Sequence, residues 1–496
     1  MKPRGKLVSM AVVLISVLFM AHVGFAAYNH QGDTDSVNFR SAYSDRVGTK
    51  LDSCTTCHSG GSYTSGGKTT TLGSCQWCHY ITNYGSAASP ENLIQTLNPY
   101  GLAYQSAGRS TAALGLISGN DSDGDGFANL VEINALTYPG DANDDPDNVL
   151  APSRVISLSE LEEMPSHKQF LLMNASKSDD NYTQYSGVAL ENLVKAVMLD
   201  SATGITVYSP DGFATYHPFS SSSNPNSYHV LGIYPPGTFY YSAQADMATN
   251  PTTGWCNYTS PSAAGRENGT PIFNPEGLKM LLAFERDGEY LAPGVLNSQN
   301  KLDGEGPFRV VPPQKNPGPP DQRSTASNAT DPNVWVWPYK SSADHNAGFS
   351  SRTVTMIRVE PLPAGTTDIN TLEAGWPYVD EEKVVIYGSI DTYLLDRLNT
   401  NLDSLIDTIA ATPNAAFKVK SSRTALVNKV EAIKKQISAG AYSAALTKLK
   451  QDFLKKTNGY LSGAVDANDW VKDLSVQKEL CSQIQIIWVM LVLIGA

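Results

Sequence analysis

Apolar residues follow three different patterns along the chain. After Asp391 they recur every three or four positions: Leu395, Leu398, Leu402, Leu405, Ile406 and Ile409, then Leu426, Val430, Ile433 and Ile437, then Leu446, Leu449 and Phe453. That spacing gathers them on one stripe of a helix and predicts a small helical bundle over 389–496, with Gly440 and Gly459 as helix stops. From 151 to 388 the apolar runs are short and strand-like, as in Ile205-Thr206-Val207-Tyr208, Val334-Trp335-Val336-Trp337 and Val354-Thr355-Met356-Ile357-Arg358-Val359. Pro, Gly, Ser and Asn clusters separate them, which predicts a mostly β domain. From 27 to 150 the chain is rich in Gly, Ser, Thr and Tyr, and aliphatic residues gather only in 93–104 and 111–117. This segment has little apolar core of its own. The expected fold class is multidomain α+β, and the length prior of about 150 residues per domain also points to three domains.

The two ends differ from the rest. Lys2, Arg4 and Lys6 precede the apolar run Leu7 to Met20, and Gly24-Phe25-Ala26 offers small residues for cleavage, so 1–26 reads as a secretory signal peptide, with an uncleaved anchor as the alternative. Its removal takes three positive charges and no negative ones, moving the formal charge from -12 to -15. Such an acidic protein is disfavoured as a partner of nucleic acid or of an anionic membrane. At the other end, Leu480 to Ala496 carries no charged side chain. The apolar stretch is shorter than the ~20 residues a bilayer requires and no basic flank follows it, so a buried closing helix is expected, with membrane association through this tail as the alternative.

Candidate chemistry concentrates in the first segment. Cys54-Thr55-Thr56-Cys57-His58 and Cys75-Gln76-Trp77-Cys78-His79 both spell C-x-x-C-H, the attachment signature of c-type haem. Two C-x-x-C pairs can also close one zinc site, or a single pair can act as a redox dithiol. The histidine that follows each pair, together with the export signal, favours two haems. Cys54, Cys57, Cys75 and Cys78 would form the thioethers, with His58 and His79 as proximal iron ligands. The porphyrins would supply the core that this segment lacks. Of six cysteines, Cys256 and Cys481 remain and are available to pair in an oxidising compartment. A second axial ligand is scarce: between Tyr28 and Leu150 the only histidine outside the motifs is His30, and there is no methionine. His30 is the candidate distal ligand for one haem. The other must borrow from Met164, His167, Met173, His217, His229 or His345, or stay five-coordinate. Trp77, Tyr80 and Tyr84 are placed to pack on a porphyrin, and no chemistry is assigned to them.

Asp121-Ser122-Asp123-Gly124-Asp125-Gly126-Phe127-Ala128-Asn129-Leu130-Val131-Glu132 fits the twelve-residue EF-hand-like calcium loop. Oxygens would come from Asp121, Asp123 and Asp125, from the Phe127 carbonyl, from Asn129 directly or through water, and from both oxygens of Glu132. Gly126 would make the sharp turn. Ala128 stands where a larger aliphatic residue commonly joins paired hands, which implies an isolated site with a structural role. The run Asp141 to Asp147 reads as an acidic linker in preference to a second partial site.

The middle segment carries a resemblance. Ser157 to Leu161, Tyr185-Ser186-Gly187-Val188-Ala189-Leu190, Tyr208 to Ala214, Leu281 to Glu285 and Gly306-Pro307-Phe308-Arg309-Val310-Val311 resemble, in this order, the molybdopterin-binding fold of the sulfite oxidase family. The resemblance covers roughly 155–360, with a Tyr-rich insertion over about 224–270. It implies a metal held by a cysteine thiolate ahead of the Tyr185 strand, but this chain reads Leu172-Met173-Asn174-Ala175-Ser176 there. Molybdopterin is therefore not expected, and the domain reads as a non-catalytic relative. Gly304-Glu305-Gly306-Pro307, behind two C-x-x-C-H motifs, resembles the secreted diheme proteins named for a GEGP motif. Residues 422–458 resemble small helical modules appended to secreted bacterial proteins.

Together these readings imply an exported diheme c-type cytochrome that passes single electrons in a respiratory or extracellular electron-transfer chain. It would sit in the periplasm or on the outer surface of a Gram-negative bacterium, with other cytochromes as redox partners. The alternatives are a haem peroxidase using an open iron site, or a molybdenum-type oxidoreductase using the β domain.

Overall fold

The computed structural model describes residues 34–52, 55–58, 62–65, 68–71, 97–142, 144–175, 180–211, 213–221, 227–234, 239–249, 251, 254–272, 274, 276–296, 302–315, 320, 345–369 and 375–495. The signal segment, His30, Cys54, Cys75, Cys78, His79, Trp77, Tyr80, Tyr84, Ser176 and Val334 to Trp337 lie outside these residues. Within them the protein is a mixed α+β structure built around two open sheets.

The first sheet has five strands in the order Ser153–Ser157, Lys383–Gly388, Met356–Glu360, Gly204–Tyr208 and Ala214–Pro218. Ile205, Val207, Ile357, Val359, Val384 and Ile386 are fully buried on it, which is why those runs read as strands. The second sheet centres on Asp180–Ala189, flanked by Ser166–Met173 and Leu281–Arg286. Asp287 and Gly288, both at positive φ (54° and 91°), turn Leu281–Arg286 back onto Glu289–Tyr290. An Asp-Gly pair suits such a hairpin because glycine carries no Cβ penalty there. Asp287 is fixed by donors from Thr183 Oγ1 and Gln184 N at 3.0 Å and from Ser260 Oγ at 2.9 Å.

The C-terminal periodicity becomes the helices Leu394–Ala411, Lys420–Ser438 and Tyr442–Lys448, followed by the single π turn Leu449–Phe453 and then the helix Leu474–Leu493. Leu398, Leu402, Leu405, Ile409, Leu426, Val430, Ile433 and Ile437 are all buried, whereas Leu395 is exposed because the buried stripe enters the helix at Leu394. Gly440, at φ +71°, ends its helix as expected. Gly459 does not: it opens the short turn Gly459–Ser462, and its N–H donates to Asp469 Oδ1 at 3.2 Å.

The apolar core runs unbroken from Ile156 in the first sheet to Leu493 in the last helix. That last helix is long and apolar enough to cross a bilayer, yet 61% of its apolar window is buried within the protein. It docks through polar bonds as well. Trp488 Nε1 donates to the Glu163 carbonyl at 2.6 Å, and Gln485 Oε1 accepts from Asn192 at 3.1 Å. The N-terminal segment has a separate, small core of Phe39, Leu51, Tyr100, Tyr104, Leu114, Ile117, Ile133 and Tyr138 with a few alanines.

Candidate functional site

Thr55–His58 forms a single helical turn that places Cys57, half-buried, and His58, 8% exposed, against the helix Pro99–Ser106. The turn is held from both sides. Thr56 Oγ1 donates to the Leu51 carbonyl at 2.7 Å. Fully buried Asn98 does more: its backbone N–H donates to the Cys57 carbonyl at 2.8 Å, and its Nδ2 donates to the Thr56 carbonyl at 3.1 Å. Its Oδ1 accepts from Gly101 N at 2.8 Å and so caps Pro99–Ser106. Gly101 must lack a side chain, since a Cβ there would meet the Cys57 carbonyl oxygen at 2.4 Å. Gly140 is equally constrained, because a Cβ would lie 2.5 Å from the Asn98 amide. Burial, with smaller contributions from Tyr43 and Cys57, raises the Tyr100 phenol above its ordinary pKa. Motif reading missed Asn98, Gly101 and Gly140, although Asn98-Pro99 carries the signature of a helix start with proline at its first position.

The acidic loop lies between the helices Thr111–Leu116 and Asn129–Ala135. Its ends are tied by Asn129 N to the Asn120 carbonyl at 2.7 Å and Leu130 N to the Ser118 carbonyl at 2.9 Å. The structure brings Asp121, Asp123 and Asp125 together, one carboxylate oxygen of each lying within 4.8 Å of the others. Gly126 takes φ +104° at the turn. Glu132 is fully buried, and neither of its carboxylate oxygens has a hydrogen-bond partner among the described residues. Burial first, then the charges of Asp123, Asp125 and Asp121, push Glu132 up to about 8. Burial and Asp125 likewise push Asp123 up to about 6. Asn129, expected as an oxygen donor, uses its amide to close the loop: Nδ2 donates to the Ile117 carbonyl at 2.7 Å and Oδ1 accepts from Ser122 N at 3.2 Å. In the acidic run that follows, Asp144 pairs with Lys50 Nζ at 3.0 Å and accepts from Tyr138 N at 3.0 Å.

In the β body, Gly304-Glu305-Gly306-Pro307 folds around an internal ion cluster. Glu305 Oε1 meets Arg286 Nη1 at 2.8 Å, and its Oε2 meets Arg309 Nη1 at 2.8 Å. Arg309 also donates to Tyr185 OH at 2.8 Å and to Ser350 Oγ at 2.7 Å. Burial works to raise Glu305, but Arg309 and Arg286 outweigh it and hold the carboxylate below its usual range. The glycines are required by close backbone approach, since a Cβ on Gly304 would meet the Pro293 carbonyl oxygen at 2.5 Å and one on Gly306 the Leu291 carbonyl oxygen at 2.3 Å.

In the stretch that ends the strand Ser166–Met173, Leu172 and Met173 point into the core, and Asn174 N donates to Asn346 Oδ1 at 2.8 Å. Cys256 is buried on a short strand pairing with Asp180–Asn181, close to Tyr182, Tyr241 and Tyr258. Cys481 forms no disulfide and lies elsewhere, buried beside Tyr460, with its thiol pushed up to about 12 by burial. The two cysteines that the count left over are thus not joined to each other. Met164, His167, Met173, His217 and His345 are all buried in the β body, and half-buried His229 stacks on Tyr234. Comparison with protein-family models, with curated proteins and with solved structures gives no match.

Proposed function

We propose that this chain is an exported diheme c-type cytochrome that transfers single electrons between redox proteins of a respiratory or extracellular electron-transfer chain. The observation that carries the reading is the C-x-x-C-H pentapeptide occurring twice within 26 residues, Cys54 to His79. When bound, each haem would supply a reversible one-electron Fe(III)/Fe(II) couple. The described residues of the first motif fit such a group: Cys57 offers a thiol at the edge of the small core, and His58 offers a largely buried imidazole on the same turn. Asn98 and Thr56 hold that turn, so the positions of the thiol and imidazole are set by packing. A ligand turn held by such bonds would keep reorganisation small when charge changes, which suits a carrier.

The β body supports the carrier over a molybdenum enzyme. Its Leu172 and Met173 offer no thiolate, and Glu305 already pairs with buried Arg309 and half-buried Arg286. The periplasmic or outer-surface location and cytochrome partners belong to the same proposal. Metal analysis of protein matured by a cytochrome c assembly pathway tests it. Two irons and no molybdenum per chain, with reversible reduction, support the carrier. One molybdenum per chain would replace it with the oxidoreductase, and carbon monoxide binding to reduced protein would reveal the open site a peroxidase needs.

A further inference from the structure

The acidic loop points beyond electron transfer and does not rest on it. Glu132 is fully buried, yet both of its carboxylate oxygens lack a hydrogen-bond partner among the described residues, as do Asp123 Oδ2 and Asp125 Oδ2. Buried carboxylate oxygens without donors are costly, so in folded proteins they are paired, protonated or bound to a cation. No described Lys or Arg forms an ion pair with Asp121, Asp123, Asp125 or Glu132; the nearby Lys50 is committed to Asp144. The loop is also closed without an ion, through Asn129 and Leu130, so its carboxylates are not needed to hold its ends together.

We propose that Asp121, Asp123, Asp125 and Glu132 bind one Ca²⁺. The donors are all hard oxygens, which excludes a preference for zinc or copper, and four carboxylates on a loop and a following helix match the high coordination number of Ca²⁺ better than the strict octahedron of Mg²⁺. Cation binding has a structural consequence. The Glu132 carbonyl accepts from Thr137 N at 2.9 Å, and Tyr138 next to it is buried in the small core and donates to the Lys50 carbonyl at 3.4 Å. Gly140 then packs on Asn98, the residue that holds the Thr55–His58 turn. An ion on Glu132 thus anchors the chain that braces this turn.

The test is calorimetric titration of the full-length chain, stripped with a chelator, with CaCl₂ and separately with MgCl₂. The expected result is one Ca²⁺ per chain with a dissociation constant of about 1 mM or tighter, and at least tenfold weaker Mg²⁺ binding. Glu132→Gln weakens Ca²⁺ by about tenfold or more, and Asp121→Asn at the exposed start of the loop does the same should the buried variant misfold. Melting of the wild type rises with added Ca²⁺. No heat of Ca²⁺ binding, or binding unchanged by both variants, overturns the proposal. The haem spectrum is read from the same sample, so loss of the electron-carrier reading and loss of this one are seen separately.

Discussion

Replacing Asn98 by alanine removes one side chain that performs two tasks. Its Oδ1 caps Pro99–Ser106 through Gly101 N, and its Nδ2 satisfies the Thr56 carbonyl inside the small core. Losing an N-cap costs about 1 kcal/mol, and leaving a buried carbonyl without its donor costs about 1–3 kcal/mol. The expected loss is therefore roughly 2–4 kcal/mol, confined to the N-terminal segment because its core is separate from the main one. With a urea slope of about 2 kcal/mol per molar, the midpoint should fall by about 1–2 M. Asn98→Asp retains the cap acceptor but not the donor, so it should lose about 1–3 kcal/mol. Gly140→Ala, which drives a Cβ to 2.5 Å from the Asn98 amide, should act in the same direction. In protein carrying the proposed haems, the assay is urea unfolding followed at the Soret band for the N-terminal segment and by tryptophan fluorescence, six of the seven tryptophans lying beyond that segment, for the rest. Unchanged Soret midpoints in Asn98→Ala, or an equal shift in both signals, would refute the idea that Asn98 locally braces the Thr55–His58 turn.

Three further outcomes follow from buried charge. His217, fully buried with Nδ1 3.2 Å from the Tyr228 carbonyl, is driven down to about 4 by burial from an ordinary value of 6.5. The folded state then binds fewer protons, so stability is complete above pH 6.5 and about 3 kcal/mol is lost as pH falls through 4; His217→Asn should flatten that slope in urea titrations, and an unchanged slope contradicts the assignment. Glu276 meets His167 Nδ1 at 3.3 Å and also accepts from Gln485 and Tyr460; burial works to raise it, but His167, Gln485 and the charge of Lys279 hold it down to about 2. Its contribution is present above pH 4.5 and lost as pH falls towards 2, and Glu276→Gln should cost about 3–5 kcal/mol at neutral pH in the β body transition. Glu305→Gln leaves Arg309 with a neutral partner in a buried site, so chemical denaturation should show a loss of about 3–5 kcal/mol and no loss of haem.

Periodicity found the C-terminal helices because one apolar face suffices to define a helix, and the residues it named, such as Leu402, Val430 and Ile433, are fully buried. Strands were legible where β-branched runs are buried on both faces, as at Ile205 and Ile357. What the pattern could not convey is that Leu474–Leu493 closes the same core as the first sheet, since packing between distant segments leaves no local signal. Gly459 was misread for a similar reason: its need for glycine comes from Asp469, a contact ten residues away. The motif that contains the Thr55–His58 turn was visible through its cysteines and histidine. Its supports, Asn98, Gly101 and Gly140, were not, because each is set by a contact made only in the fold. The acidic loop was legible from spacing, whereas the full burial of Glu132 and the part Asn129 takes in loop closure are set only in the fold. The GEGP letters were a label in the sequence; in the structure they are a counter-ion flanked by two glycines at close backbone approaches.

The central claim is that two haems are covalently attached through Cys54, Cys57, Cys75 and Cys78. The most direct test is the intact mass of the exported protein after maturation in a host with a cytochrome c assembly pathway. The account predicts the processed polypeptide plus two haems, falling by one haem in Cys54→Ala/Cys57→Ala. A colourless protein with the mass of the bare polypeptide would contradict it.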